Sequence, residues 1–268
     1  MKALRLFAIT LLVIAALAAL GANYIAPAGY EHQFRESPDA RPSAQHWLGT
    51  DDLGRDRLAR LLFGMRVSLL LAPLAAAVAT VLAALLGGIA GYCGGWVERF
   101  LMIVVDVFLC VPWLFLLITV RAVLPLNISP EASVVVTFTL LGLLGWAASA
   151  RVVCAGIRDM MKSEFVWMAR ATGFSGLKLI RLHMLPNLRG TLLAQFWISV
   201  PVFIIAEANL GVLGLGVSEP LPSLGSLLRE LQHVVTLRPE PWQFVPLIVL
   251  IVVVSSFQTL LNKQEVRV

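Results

Sequence analysis

One segment between the later apolar runs of this chain mixes charge with large apolar residues. Ser163 to Asn187 reads SEFVWMARATGFSGLKLIRLHMLPN and carries Glu164, Arg170, Lys178, Arg181 and His183 among large apolar residues. Their types and spacing suit recognition, with charged edges around apolar anchors, more than bond making or breaking. No G-x-x-x-x-G-K-[ST] phosphate loop, H-E-x-x-H zinc helix or G-x-S-x-G elbow occurs anywhere in the sequence. The chain is expected to have no catalytic residue, to bind no cofactor and no metal, and to be unable to hydrolyse ATP alone.

Few other residues invite a chemical reading. Asp106 lies inside an apolar run, and intramembrane acids face the bundle or a water-filled path. It is a candidate for a translocation path or gate, against the plainer role of a helix-end acid bonded to a nearby loop. Glu207 and Asn209, near the end of another apolar run, carry the same pair of readings, with a structural hydrogen bond to the following Gly-rich loop favoured. His46 with Asp51 and Asp52 makes a poor metal set, and a capped turn explains them better. Cys93, Cys110 and Cys154 are odd in number and widely spaced, so they read as packing residues. The basic residues are scattered without an aromatic stripe, which argues against nucleic acid.

These residues must be positioned by membrane helices. The 268 residues are 59% hydrophobic and 14% charged. Several apolar runs reach the roughly 20 residues that cross a ~30 Å hydrocarbon core. Six spans are expected, at about 4–25, 67–89, 100–124, 132–155, 191–213 and 244–261. The first is read as an uncleaved span, because its apolar stretch exceeds a signal-peptide core. Asp56 to Arg66 reads as an amphipathic helix on the membrane surface, and 214–243 as a Pro-, Gly- and Ser-rich loop. Pro112 and Pro201 sit where they can kink their spans, with a plain packing irregularity as the equal alternative.

A lipid-facing helix cannot hold the charges of 163–187, so that segment belongs in water between spans four and five. Arg151, Arg158, Lys162, Arg170, Lys178, Arg181 and Arg189, with Lys2, Arg5, Lys263 and Arg267 at the termini, favour the cytoplasmic side under the positive-inside rule. Six arginines in the first loop oppose this without outweighing it.

Within the segment, Ser163 can cap a helix and Glu164 suits its positive end. Phe165, Met168, Ala169 and Thr172 follow a helical face. Gly173 can end the helix in a left-handed conformation. Leu177, Ile180 and Met184 give a second face, which Pro186 is expected to end. Two short helices and a bend suit docking into a partner's groove, against the alternative of a helix resting on anionic headgroups.

Here the residues resemble a family. Gly173, then His183-Met184-Leu185-Pro186-Asn187, with Glu164, Ala169, Arg170 and Ala171, resembles the EAA loop of permease subunits of binding-protein-dependent ABC importers. Trp167 and Met168 stand where that pattern has Glu and its first Ala. His46–Asp56, Gly91–Asp106 and Glu207–Gly225 resemble the C-type subunits of dipeptide, oligopeptide and nickel importers, while the stretch after Phe257 departs from their usual ending.

The resemblance implies an all-α membrane protein of six transmembrane helices, with the type I importer (MetI-like) fold and a coupling helix. It divides the chain into an N-terminal helix and start of an external loop (1–45), a permease domain (46–262) and a short cytoplasmic tail (263–268). It implies a bacterial inner-membrane protein with both termini cytoplasmic, moving di- or oligopeptides or a small solute such as a nickel chelate. The implied partners are a second permease subunit, two ATPase subunits that use ATP and magnesium, an external solute-binding protein and membrane lipid. ATPase coupling falls by resemblance to Glu164, Phe165, Ala169, Arg170, Ala171, Gly173, His183, Leu185 and Pro186. A self-sufficient secondary transporter or channel is the alternative; it would need ionisable residues near mid-membrane, and few are present.

Overall fold

A computed structural model describes residues 2–125, 128–174, 176–237 and 240–261. Its helices are α1 (Lys2–Leu20), α2 (Ala22–Ile25), α3 (Arg57–Cys93), α4 (Gly95–Cys110), α5 (Trp113–Val123) and α6 (Pro130–Leu144). They continue with α7 (Ala147–Met161), α8 (Glu164–Ala171), α9 (Gly176–Leu179), α10 (Leu185–Val212), α11 (Leu224–Leu237) and α12 (Val245–Leu261). A π-helical turn, Ile180–Met184, joins α9 to α10, and a 3-10 turn, Pro241–Phe244, precedes α12. Among the described residues, extended pairing is confined to the isolated bridges Gln33–Arg55 and Thr50–Asp56.

Five stretches are long and apolar enough to cross a membrane: α1, α3, α6–α7, α10 and the 3-10 turn with α12. The pair α4–α5 makes a sixth, bent by 86°. Pro112 marks that bend. It lacks an N–H, and Val111 before it takes the extended conformation (φ −83°, ψ 125°) that proline imposes on its neighbour. The expected kink is therefore a break. Pro201 lies within unbroken α10.

Helix α3 is the spine. Its 37 residues span about 56 Å at 1.5 Å per residue, well beyond a hydrocarbon core. Ala83, Gly87, Ala90 and Gly91 are small and buried, and the two glycines lie against α7. A Cβ on Gly87 would lie 2.3 Å from the Ala150 carbonyl oxygen, and one on Gly91 2.7 Å from that of Cys154. Small residues let the two backbones meet, and close van der Waals packing holds helices together where lipid removes the hydrophobic drive. The main core adds Leu117, Leu141, Phe203, Ile204, Leu210 and Leu224 to this seam. Helices α1 and α12 pack on each other at the periphery and keep much apolar surface exposed, as suits lipid.

Two expected elements differ. Residues 57–66 do not form a separate surface helix. They are the first turns of α3, with Ala59, Arg60, Leu61, Leu62 and Met65 buried. Asp56 caps α3 by accepting from the Ala59 N–H at 2.8 Å, and His46 Nδ1 lies 2.9 Å from its other oxygen. Asp51 accepts from the Leu53 and Arg55 N–H groups, which fixes the preceding turn. The second difference lies in the expected loop 214–243, which contains α11. Leu224, Leu227, Leu228 and Leu231 give it an apolar face, and the Ser223 hydroxyl accepts from the Ser226 N–H at 3.1 Å.

Candidate functional site

The charged segment forms a compact helical loop between α7 and α10. Val166 and Ala169 point inward from α8 and pack with Val153 and Ile157 of α7, Leu179 of α9, and Met184 and Leu188. This small core is separate from the main one, so α8 is seated on the bundle and does not hang free. Gly173 has φ +86°, the left-handed conformation expected of it, and the Phe174 N–H donates to the Ala169 carbonyl at 2.9 Å to close the helix end. Lys178 Nζ lies 4.5 Å from the centroid of the Phe174 ring. The Ser163 hydroxyl donates back to the Met160 carbonyl.

The apolar face expected on α8 divides in two. Ala169 faces the bundle, whereas Phe165 and Met168 are exposed, and Trp167 joins them. Trp167 and Met168 are 65% and 70% exposed, so the outward apolar knob uses the two residues that replace the usual Glu and Ala. Glu164 and Ala171 are exposed beside it. Arg170 falls on α8 and His183 on the π turn, but their side chains, like residues 262–268, lie outside the described residues. Pro186 does not end the second helix. It sits in the first turn of α10, where a missing N–H is tolerated, and the chain runs through the π turn into that span. Leu185 and Pro186 are exposed.

The three candidate path residues are not brought together. Asp106 lies in the last turns of α4 and pairs with Arg151 of α7, both side chains about half exposed. Glu207 is fully buried in α10, where it accepts from the Ser68 hydroxyl at 2.9 Å. Ser68 in turn accepts from the Leu224 N–H, so the carboxylate ties α3 and α10 to the positive N-terminus of α11. Asn209, two residues further along α10, is exposed on another side.

Sequence reading missed a cavity of about 880 Å³ at the far end of α10 from the loop. Its walls come from 39–57, Arg121, 211–219, α11 and the 240–243 turn. Arg55 of its wall and Arg60 behind it are buried against three carboxylates: Arg55 reaches Asp51 at 2.6 Å and Glu219 at 3.0 Å, and Arg60 bonds Glu230. Burial pushes the Glu230 carboxyl up to about 7, against the pull of Arg60 and Arg55. Among the described residues no group of His, Cys, Asp and Glu could hold a metal ion.

Fold and loop together define a multi-pass helical membrane protein carrying a seated helical loop at one end of the bundle. Comparison with known sequences then gives the family. A family described as "Binding-protein-dependent transport system inner membrane component" matches residues 79–264, and the chain belongs to it. It is 35% identical over 218 residues to the "Oligopeptide transport system permease protein OppC" of Mycobacterium tuberculosis, covering 80% of this chain and 73% of the relative. It is 30% identical over 220 residues to the "Dipeptide transport system permease protein DppC" of Bacillus subtilis, covering 82% and 67%. The "Glutathione transport system permease protein GsiD" of Pectobacterium atrosepticum is 31% identical over 251 residues, covering 93% and 80%. The chain is thus a permease component of an ABC importer and a multi-pass inner-membrane protein.

Proposed function

We propose that this permease moves short peptides inward, driven by ATP hydrolysis on separate ATPase subunits that grip α8. The exposed Phe165–Trp167–Met168 knob carries the reading, because three large apolar side chains in water beside a charged edge suit a protein groove. The small core behind α8 supports a direct mechanical route. Force on the knob reaches α7 through Val153 and Ile157, and α10 through Met184 and Leu188. Peptide cargo is supported by relatives named for oligopeptide, dipeptide and glutathione transport.

The complex in this reading contains a second permease, two ATPase subunits and an external solute-binding protein. The loop and both termini face the cytoplasm, and 27–56 with 214–243 face outward, as the lysine and arginine distribution favours. A half-exposed ion pair on membrane-crossing helices is poorly suited to lipid, so Asp106 and Arg151 face the water-filled path or the second permease. Co-purification from membranes followed by reconstitution tests this. ATP-driven uptake of labelled tripeptide is expected only when an ATPase subunit co-purifies. Uptake by the chain alone, driven by an ion gradient, would refute it.

A further inference from the structure

The cavity at the outer end of α10 has an uneven charge pattern. Asp51, Glu219 and Glu230 surround the guanidiniums of Arg55 and Arg60, three carboxyls to two cations, with Glu219 the half-exposed one. Arg121 and Arg229 also line the cavity, and neither makes an ion pair among the described residues.

Both unpaired arginines address the same loop, 214–218. Arg229 lies against Gly214, whose φ is +76°. A Cβ there would come 3.0 Å from the guanidinium carbon, so a bare backbone lets Arg229 lie flat on the loop. Arg121 is only 1% exposed. Its Nη2 donates to the Ser133 hydroxyl, which also accepts from the Ser218 N–H and donates to the Gly216 carbonyl. Its buried Nε finds no partner. A buried guanidinium held only by neutral oxygens favours an anion nearby.

We infer that this cavity binds a short zwitterionic peptide, its carboxylate on Arg229 in front of Arg121 and its ammonium at the acid-rich Asp51–Glu219–Glu230 cluster. The volume falls within the range of small-molecule sites. The choice of a peptide among zwitterions rests on the cargo reading above. The site would receive cargo on the permease itself, before the membrane path.

The test uses the full chain, with the subunits that co-purify with it, in nanodiscs without the external binding protein. Trialanine, its C-terminal amide and its N-acetyl form are titrated calorimetrically. Trialanine is expected to bind, and each blocked form to bind about tenfold or more weakly, the scale of one lost charge-assisted contact. Arg229→Gln should bring trialanine down to the level of the amide while leaving the N-acetyl penalty in place. Arg229→Lys should retain part of the difference. The exposed position of Arg229 keeps these variants folded, and thermal stability checks that. Equal binding of trialanine and its amide, or no effect of Arg229→Gln, overturns the proposal. So does a result in which trialanine does not bind and Arg229→Gln instead weakens docking of an acidic binding protein. The readout needs no ATP, so failure here leaves the coupling reading standing, and failure of coupling leaves the site standing.

Discussion

Gly173 offers a clean perturbation, because its surroundings separate backbone strain from steric clash. A Cβ at this position would meet nothing within 4 Å, yet φ is +86°. Any penalty therefore comes from the left-handed backbone alone, about 1–2 kcal/mol for an ordinary L-residue and less for asparagine. Helix α8 has eight residues and is seated mainly by Val166 and Ala169, so a strain of this size competes with its docking. About 2 kcal/mol shifts a two-state equilibrium by roughly 30-fold. Gly173→Asn is expected to transport close to wild type, Gly173→Ala to fall severalfold, and Gly173→Val to fall about tenfold or more. The assay is ATP-driven peptide uptake into proteoliposomes at matched permease content, with hydrogen exchange of the α8 amides as a check on docking. Val and wild type transporting equally, or Asn failing as badly as Val, would refute the reasoning.

Gly87→Leu should lose the inserted, folded protein, because its Cβ has no room against Ala150 and overpacking costs about 1–3 kcal/mol or more; detergent thermal stability and expression report it. Asp106→Asn should reduce transport by leaving Arg151 uncompensated, and the swap Asp106→Arg with Arg151→Asp should recover part of it, measured as a double-mutant cycle of uptake. Glu230 has its carboxyl pushed up to about 7, so the folded state holds a proton that the unfolded chain releases near 4.5. Stability should therefore fall as pH rises from about 4.5 to 7 and level off above; Glu230→Gln should flatten that slope in melting curves taken from pH 5 to 8.

Much of this was legible in the sequence where one residue type forces one outcome. The span cores follow from apolar length. Gly173 follows from a glycine between two helical patterns. Pro112 was legible only as a place to bend, since Pro201, with the same missing N–H, sits in unbroken α10. Other features depend on partners distant in sequence. Residues 57–66 read as a surface helix because Arg57, Arg60 and Arg66 make that stretch look solvated. Arg60 is instead buried beside Glu230 and Asp51, and Arg66, half-buried, donates to the carbonyls of Ala19 and Leu20 at the end of α1. Helix α11 hid behind the flanking prolines and glycines, although its leucine spacing and Ser223 cap were there to be read. The inward side of α8 needed the structure. Val166 and Ala169 face α7, and the residues that break the family pattern, Trp167 and Met168, are the ones turned outward. The cavity with Arg121 and Arg229 joins five separated stretches, and no local pattern announces it.

The most direct test of the account is a cross-link at the knob. Single cysteines at Trp167 and Met168, in a chain whose three native cysteines are replaced, should cross-link to a co-purified ATPase subunit, with a yield that changes when ATP is added. A cysteine at Val166, buried against α7, should not react. A complex that transports normally yet forms no cross-link from either exposed position, with or without nucleotide, would show that α8 is not where the driving force enters.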